Sequence, residues 1–274
     1  MAGARVVIVG ASGRMGQALV RATRELPALR IAAGVASAGS ASVGRDLGVV
    51  AGLEPLGLEV SSDLPAALAG ADVALDFSQP HATRANIAAC RAARKPLLIG
   101  TTGFGAELTE AELDAAARDI PLLIAPNTSL GVALLVDLVR RAARALPAEF
   151  DVEVIEAHHR MKRDAPSGTA LALARAAGEG RGLVAADALA GSSAARAGPR
   201  RQGEIGFAVI RGGDIVGDHT VLFAGSGEEL RLSHRAGDRA IFARGALRAA
   251  LWLLTQPPGR YNMSDIVKEN QSLA

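Results

Sequence analysis

Residues 5–9 form a short, unbroken apolar run, and a glycine-rich turn follows at once: Gly10-Ala11-Ser12-Gly13-Arg14-Met15-Gly16. Residues 17–26 then repeat apolar positions at helical spacing. No other stretch restricts the fold as much. A continuous apolar strand is buried on both faces, as strands of a parallel sheet are. A glycine turn that opens a helix lets backbone amides approach a pyrophosphate at the helix N-terminus. The spacing is G-x-x-G-x-x-G, with Ser12 where the commoner pattern has glycine. The context predicts a dinucleotide site.

The rhythm continues. Strands are predicted at residues 29–35, 72–76, 96–99 and 121–125, and helices at 63–69, 81–93 and 109–118, a doubly wound, Rossmann-like parallel sheet. Its carboxyl-end loops, Gly10 to Gly16, Gly100-Thr101-Thr102 and Ala125-Pro126-Asn127-Thr128, are expected to line one crevice. After the second strand a reader of the ribose 2′-hydroxyl is normally Asp or Glu. Here stand Ala36-Ser37-Ala38-Gly39-Ser40, with no acid before Asp46. His81 is read as a surface residue.

A helix over residues 130–146 ends at Pro147, and the pattern changes. Residues 151–158 alternate apolar and polar as a half-buried strand does. Residues 178–203, rich in Ala, Gly, Ser and Arg without a period, read as a mobile surface loop. Strands at 204–211, 215–223 and 229–234 form a second, open mixed sheet in an α+β domain, and a last helix over 241–254 is expected to anchor Trp252 in a core.

Composition narrows the function. Aromatics are 3% and the formal charge is +2, which disfavours a nucleic-acid surface. The lone cysteine, Cys90, excludes an intramolecular disulfide, and no apolar run reaches membrane-spanning length. A soluble, cytoplasmic protein with no membrane partner is expected.

The chemistry concentrates in Glu156-Ala-His158-His159-Arg-Met161-Lys162-Arg-Asp164-Ala-Pro-Ser167-Gly168-Thr169. Two of the five histidines lie here beside Lys162; the other lysines are Lys95 and Lys268. A strand leads in, and Ser167-Gly168-Thr169 opens a strong helix former, whose unpaired N–H groups favour an anion. Protonatable groups beside an anion site point to chemistry on a carboxylate or phosphate. Adjacent histidines on a strand face opposite ways and Cys90 is distant, so no metal is expected.

With these motifs in this order, the chain resembles the dihydrodipicolinate reductase family, also called 4-hydroxy-tetrahydrodipicolinate reductase. The likeness extends through Gly213-Asp-Ile-Val-Gly-Asp-His219-Thr to Trp252. It implies a homotetramer that reduces a cyclic dicarboxylate with NADH or NADPH in the diaminopimelate route to lysine. His158 matches the proton donor/acceptor and Lys162 the proton donor coupled to hydride transfer. His159, Gly168 and Thr169 match substrate-carboxylate contacts. Gly10, Ala11, Ser12, Gly13, Arg14, Met15, Gly100, Thr101, Thr102, Ala125, Pro126, Asn127 and Thr128 match cofactor contacts. It implies a dinucleotide-binding domain at 1–129, with 241–274 folding back on it, and a substrate-binding and oligomerisation domain at 130–240. Met161 departs from relatives with a third histidine. The missing acid at Ala36, with Ser37 and Ser40 as phosphate donors, predicts a modest NADPH preference. Another two-domain NAD(P)-dependent reductase would share the glycines but lack the central motif; an NADP-sensing regulator would lack the proton donors.

Overall fold

Short aliphatic runs separated by capped helices dominate the first 129 residues. The computed structural model describes residues 3–104, 108–183, 200–201 and 203–272. In chain order the elements are β1 (Ala4–Val9), α1 (Arg14–Thr23), β2 (Leu29–Val35), α2 (Leu47–Val50), β3 (Val60–Ser61), α3 (Leu64–Ala69), β4 (Val73–Asp76), α4 (Pro80–Ala92), β5 (Leu97–Ile99), α5 (Glu110–Ala117) and β6 (Pro121–Ile124). Then come α6 (Leu130–Ala145), β7 (Asp151–His158), α7 (Gly168–Gly180), β8 (Ile205–Arg211), β9 (Gly217–Ala224), β10 (Glu229–Ala236), α8 (Ala240–Leu253), β11 (Gly259–Tyr261) and α9 (Met263–Ser272). The chain divides into two units, Met1–Ser129 with Ala240–Ala274, and Leu130–Arg239.

The first unit is a seven-stranded parallel sheet in the order β11-β6-β5-β4-β1-β2-β3. Val7 and Val9 pack with Leu64, Leu68, Ile87 and Leu113 of α3, α4 and α5. Val6 and Ile8, equally buried, point to the other face because strand side chains alternate. There α1 lies against α8, and α8 also touches β4 and β5. The sheet is covered on both sides, as the continuous apolar strands require. Helix starts follow the sequence: Asp63 caps α3, and Thr109 with Glu112 forms a capping box on α5.

Helix α1 begins at Arg14, three residues before the periodic segment. Gly16 therefore lies inside it, a position that propensity disfavours. Packing overrides propensity here, since a Cβ on Gly16 would stand 2.2 Å from the Gly10 carbonyl oxygen. Trp252 is a second departure from expectation. It is only half-buried, meeting Tyr261 edge to face and donating its indole N–H to Glu269.

In the second unit the sheet order is β10-β9-β7-β8, with β7 and β8 parallel and the other pairs antiparallel. The mixed pattern follows from α7, which crosses from β7 to β8 as a parallel pair requires. Helices α6 and α7 cover one face, over Val152, Val154, Phe207, Val221 and Phe223. The opposite face carries Ile155, Ala157, Ala208, Ile210, Thr220 and Leu222, none of them buried. The stretch 178–203 was expected to be loop throughout. Helix α7 instead runs to Gly180, because its Ala-rich face packs against α6. Residues 184–199 and 202 lie outside the described residues.

Candidate functional site

The glycine turn is built by missing side chains. Gly10 has φ +81°, and a Cβ on it would lie 2.4 Å from the Phe77 carbonyl oxygen. The Gly10 and Ala11 amides donate to the Val35 carbonyl at 2.8 and 3.0 Å, and the Gly13 amide donates to the Gly10 carbonyl at 3.0 Å. Those three amides are spent on the turn. Arg14 and Met15 occupy the first two positions of α1, where a helix provides no acceptor for its own amides. Their N–H groups are the ones suited to a phosphate.

Beside this turn is a pocket of about 330 Å³. Gly10, Ser12, Gly13 and Ser37 line it, together with Ala36, Ser62, Gln79 and His81. Ala11 is buried beneath the turn, while Arg14 is exposed and Met15 half-buried, and none of the three is in the lining. Asp46 takes no part in it. Its carboxylate accepts amides from Gly48, Val49, Leu56 and Gly57 at 2.8–3.1 Å, and those contacts hold it below the usual carboxylate range despite desolvation. The acid nearest in sequence to the Ala36 position is thus committed to organising its own loop.

Gly100, Thr101 and Thr102 lie outside this lining, as do Ala125, Pro126, Asn127 and Thr128. These loops leave neighbouring parallel strands, so they emerge at the same sheet edge as the glycine turn. Gly100 leaves room for Phe77, whose ring would be 2.0 Å from a Cβ there. Thr101 is buried and its hydroxyl donates to the Asp76 carbonyl at 3.3 Å; Thr102 is exposed. Thr128 donates to the Phe242 carbonyl at 2.7 Å, and Asn127 Oδ1 accepts the Ser129 amide at 2.9 Å. Sequence reasoning missed fully buried Asp76, which accepts from Ser78 Oγ at 2.6 Å and Asn86 Nδ2 at 3.1 Å. An acid closing an apolar strand was its signal.

In the second unit, β7 delivers Glu156 and His158 to its covered face, with His219 opposite Glu156 on β9 and Arg211 beside His158 on β8. Glu156 Oε1 accepts the Ser167 amide at 3.0 Å and Arg211 Nη2 at 2.9 Å. Oε2 lies 3.0 Å from His158 Nδ1, off the N–H axis, so this contact is electrostatic rather than an aligned hydrogen bond. Burial alone would raise the Glu156 carboxyl, but Ser167 and Arg211 hold it below the ordinary range. Burial lowers His158, against the pull of Glu156, and takes His219 down to about 4.

Lys162 and His159 flank this network. Lys162 Nζ pairs with Asp164 at 2.9 Å, which lowers the Asp164 carboxyl, and its amide donates to the His159 carbonyl at 3.0 Å. His159, just past the end of β7, is half-buried. Ser167 caps α7 through the Ala170 amide at 3.1 Å, which places exposed Gly168 and half-buried Thr169 at the helix start. A lysine and a helix start of the kind suited to an anion thus occur on one short segment.

Both halves of the chain match family models. Residues 4–128 match the dihydrodipicolinate reductase N-terminus and residues 131–267 its C-terminus. The chain belongs to the dihydrodipicolinate reductase family. A 4-hydroxy-tetrahydrodipicolinate reductase of Alkalilimnicola ehrlichii is 50% identical over 96% of this chain and 98% of its own. One from Anaeromyxobacter dehalogenans is 48% identical over 96% and 97%. Among solved structures, a dipicolinate-bound dihydrodipicolinate reductase from Paenisporosarcina sp. TG-14 shares the fold, with a TM-score of 0.75, 24% identity, and coverage of 96% of this chain and 99% of that one.

Glu156, His158 and His219 also bring one potential metal-ligand atom each within 4.8 Å of one another, a cluster invisible in the sequence. Arg211 already holds Glu156 Oε1, and the charges of Arg211 and Lys162 act on the same ring. A cation would meet two positive neighbours there. Cys90 offers no alternative, since burial pushes its thiol up to about 12.

Proposed function

We propose that this chain is an NAD(P)H-dependent 4-hydroxy-tetrahydrodipicolinate reductase, acting on a cyclic dicarboxylate in the diaminopimelate route to lysine. The observation that carries this reading is the segment 156–169, where a buried carboxylate–imidazole pair, a lysine and a capped helix start stand together. The family relationship supports it over nearly the whole chain.

The first unit, residues 1–129 with the terminal segment from about 241, is the dinucleotide-binding domain. The glycine cradle, the Arg14 and Met15 amides and the Ser37-lined pocket fit a dinucleotide, which supplies hydride when bound. Gly100, Thr101, Thr102 and residues 125–128 serve the same ligand. With Ala36 in place of an acid, no carboxylate among the described lining residues repels a 2′-phosphate, and a modest NADPH preference follows.

The second unit, residues 130–240, binds substrate and assembles the oligomer. Hydride addition to a conjugated imine builds electron density that a proton must meet. Lys162 donates that proton, and His158 exchanges a proton with the reacting ring system. His159 and the Gly168–Thr169 amides hold a substrate carboxylate, for which a helix N-terminus is suited. The uncovered face with Ile155, Ile210 and Leu222 is suited to a second copy of the chain, and the assembly is a homotetramer. Among the described residues no helix is long and apolar enough to cross a membrane; the enzyme works in the cytoplasm.

A steady-state assay with 4-hydroxy-tetrahydrodipicolinate and each reduced nicotinamide tests the reading. Oxidation of both, with NADPH modestly favoured, is expected. Absence of turnover with either cofactor overturns it.

A further inference from the structure

The end of β7 holds a charge that direct substrate contact does not explain. Glu156 is fully buried, at 0% exposure. Its Oε2 lies 3.0 Å from His158 Nδ1 and 3.8 Å from His219 Nε2. A bare Nδ1 would place its negative partial charge 3.0 Å from a carboxylate oxygen, whereas a protonated one places positive charge there, so electrostatics favours the Nδ1–H form of the neutral ring. Nε2 lies beside Gly217, where even a Cβ would come within 3.2 Å of it. Glycine there keeps the space beside that nitrogen open.

We propose that Glu156 is a positioning residue for His158: its carboxylate keeps Nδ1 protonated and leaves Nε2 as the atom that exchanges a proton with substrate. This rests on the assignment of His158 as proton donor/acceptor. The proton moves at Nε2 alone, and Nδ1–H stays on the ring throughout. Carboxylate partners orient imidazoles in this way wherever one ring nitrogen must be reserved.

The neighbours of His158 are Glu156 on its own strand, Arg211 on β8, His219 on β9, and Lys162 with Asp164 in the following loop. Glu156 and Asp164 favour the imidazolium; Lys162, Arg211 and burial oppose it. Arg211 keeps Glu156 ionised and also donates to the Asp164 carbonyl at 2.6 Å, in the loop that carries Lys162. His219 meets the His158 ring edge-on at 5.0 Å between centroids, and its Nε2 lies 3.2 Å from the Ser167 hydroxyl that caps α7. Glu156 thus ties the two proton-handling residues and the helix start to one buried point.

Nitrogen-15 NMR of histidine-labelled protein tests this, since the chain has five histidines and His158 is assigned by its loss in His158→Gln. In the wild type, without substrate or cofactor, neutral His158 should show Nδ1 protonated and Nε2 bare. The opposite tautomer overturns the proposal, and this reading needs no variant at Glu156 to fold. In Glu156→Gln the His158 titration midpoint should fall by about one pH unit or more, with partial recovery in Glu156→Asp. The limb of the kcat profile set by His158 should move to lower pH by the same amount. An unmoved titration, or a kcat lowered equally at every pH, reduces Glu156 to a structural residue. A wild type with the expected tautomer and no turnover would break the functional assignment instead.

Discussion

The two candidate sites are made of opposite materials. In the first unit the ligand site is backbone and absence, with glycines where a Cβ would strike a carbonyl and amides left over at the start of a helix. In the second unit it is side chains, with a buried carboxylate, two imidazoles, a guanidinium and a lysine whose charges depend on one another. A backbone site should tolerate exchange of its exposed side chains and fail on the addition of one carbon. A side-chain site should tolerate small shape changes and fail on the loss of one proton.

The sharpest test of that contrast is Lys162→Arg. Arginine keeps the positive charge beside Asp164 but does not release its proton at any working pH. The turnover number should fall by roughly two to three orders of magnitude, with dinucleotide affinity unchanged by calorimetry. Near-normal turnover would reduce Lys162 to a charge contact.

Acid should separate the units next. His219 titrates near 4 in the fold, below its ordinary 6.5, and His158 is lowered as well. The unfolded chain then binds more protons between those values, so the stability is complete above about pH 6.5 and is lost as pH falls toward 4. For His219 this amounts to roughly 3 kcal/mol. Asp46 in the first unit is shifted below 3.8, so its contribution is complete above that value and is lost only on further acidification. Hydrogen exchange followed by peptide should show the second unit loosening first, and the reverse order would contradict this account.

Gly10→Ala probes the backbone site. The residue has φ +81° and no room for a Cβ, so stability should fall by about 2 kcal/mol and dinucleotide affinity by about tenfold. The His158 titration should stay where it was. A shift in that titration would show that the two sites are not independent.

The smallest effect expected is for Ala36→Glu. A carboxylate in this pocket should accept from the ribose of NADH and repel a 2′-phosphate, moving the affinity ratio several-fold toward NADH. Both cofactors must be compared at one salt concentration, because the phosphate interaction is screened. A wild type that already prefers NADH would sink the NADPH reading.

Legibility in the sequence tracked the range of the interactions. Strands β1, β2, β4, β5 and β6 were visible because each is a local apolar run, and the helix starts at Asp63, Thr109 and Ser167 because helical period and its opening residues are local. The start of α1 was misplaced because Gly16 is helical only to let the helix approach the Gly10 carbonyl. Trp252 was assigned to a core on its type alone, while its place is set by Tyr261 and Glu269. Asp46 could be named as the first acid after β2, yet its use as a loop organiser depends on Leu56 and Gly57.

The sequence by itself determined a doubly wound sheet, a second mixed sheet and which residue types share the segment 156–169, since periodicity, glycine spacing and residue chemistry are local properties. Only the tertiary structure decided that Glu156 faces His158 and His219 and is held ionised by Arg211. Those partners are supplied by the register of β7 with β8 and β9, across 55 residues for Arg211. Register depends on which faces are buried and which strands are neighbours. The charge of a buried group is set by whatever that pairing brings within a few ångströms of it.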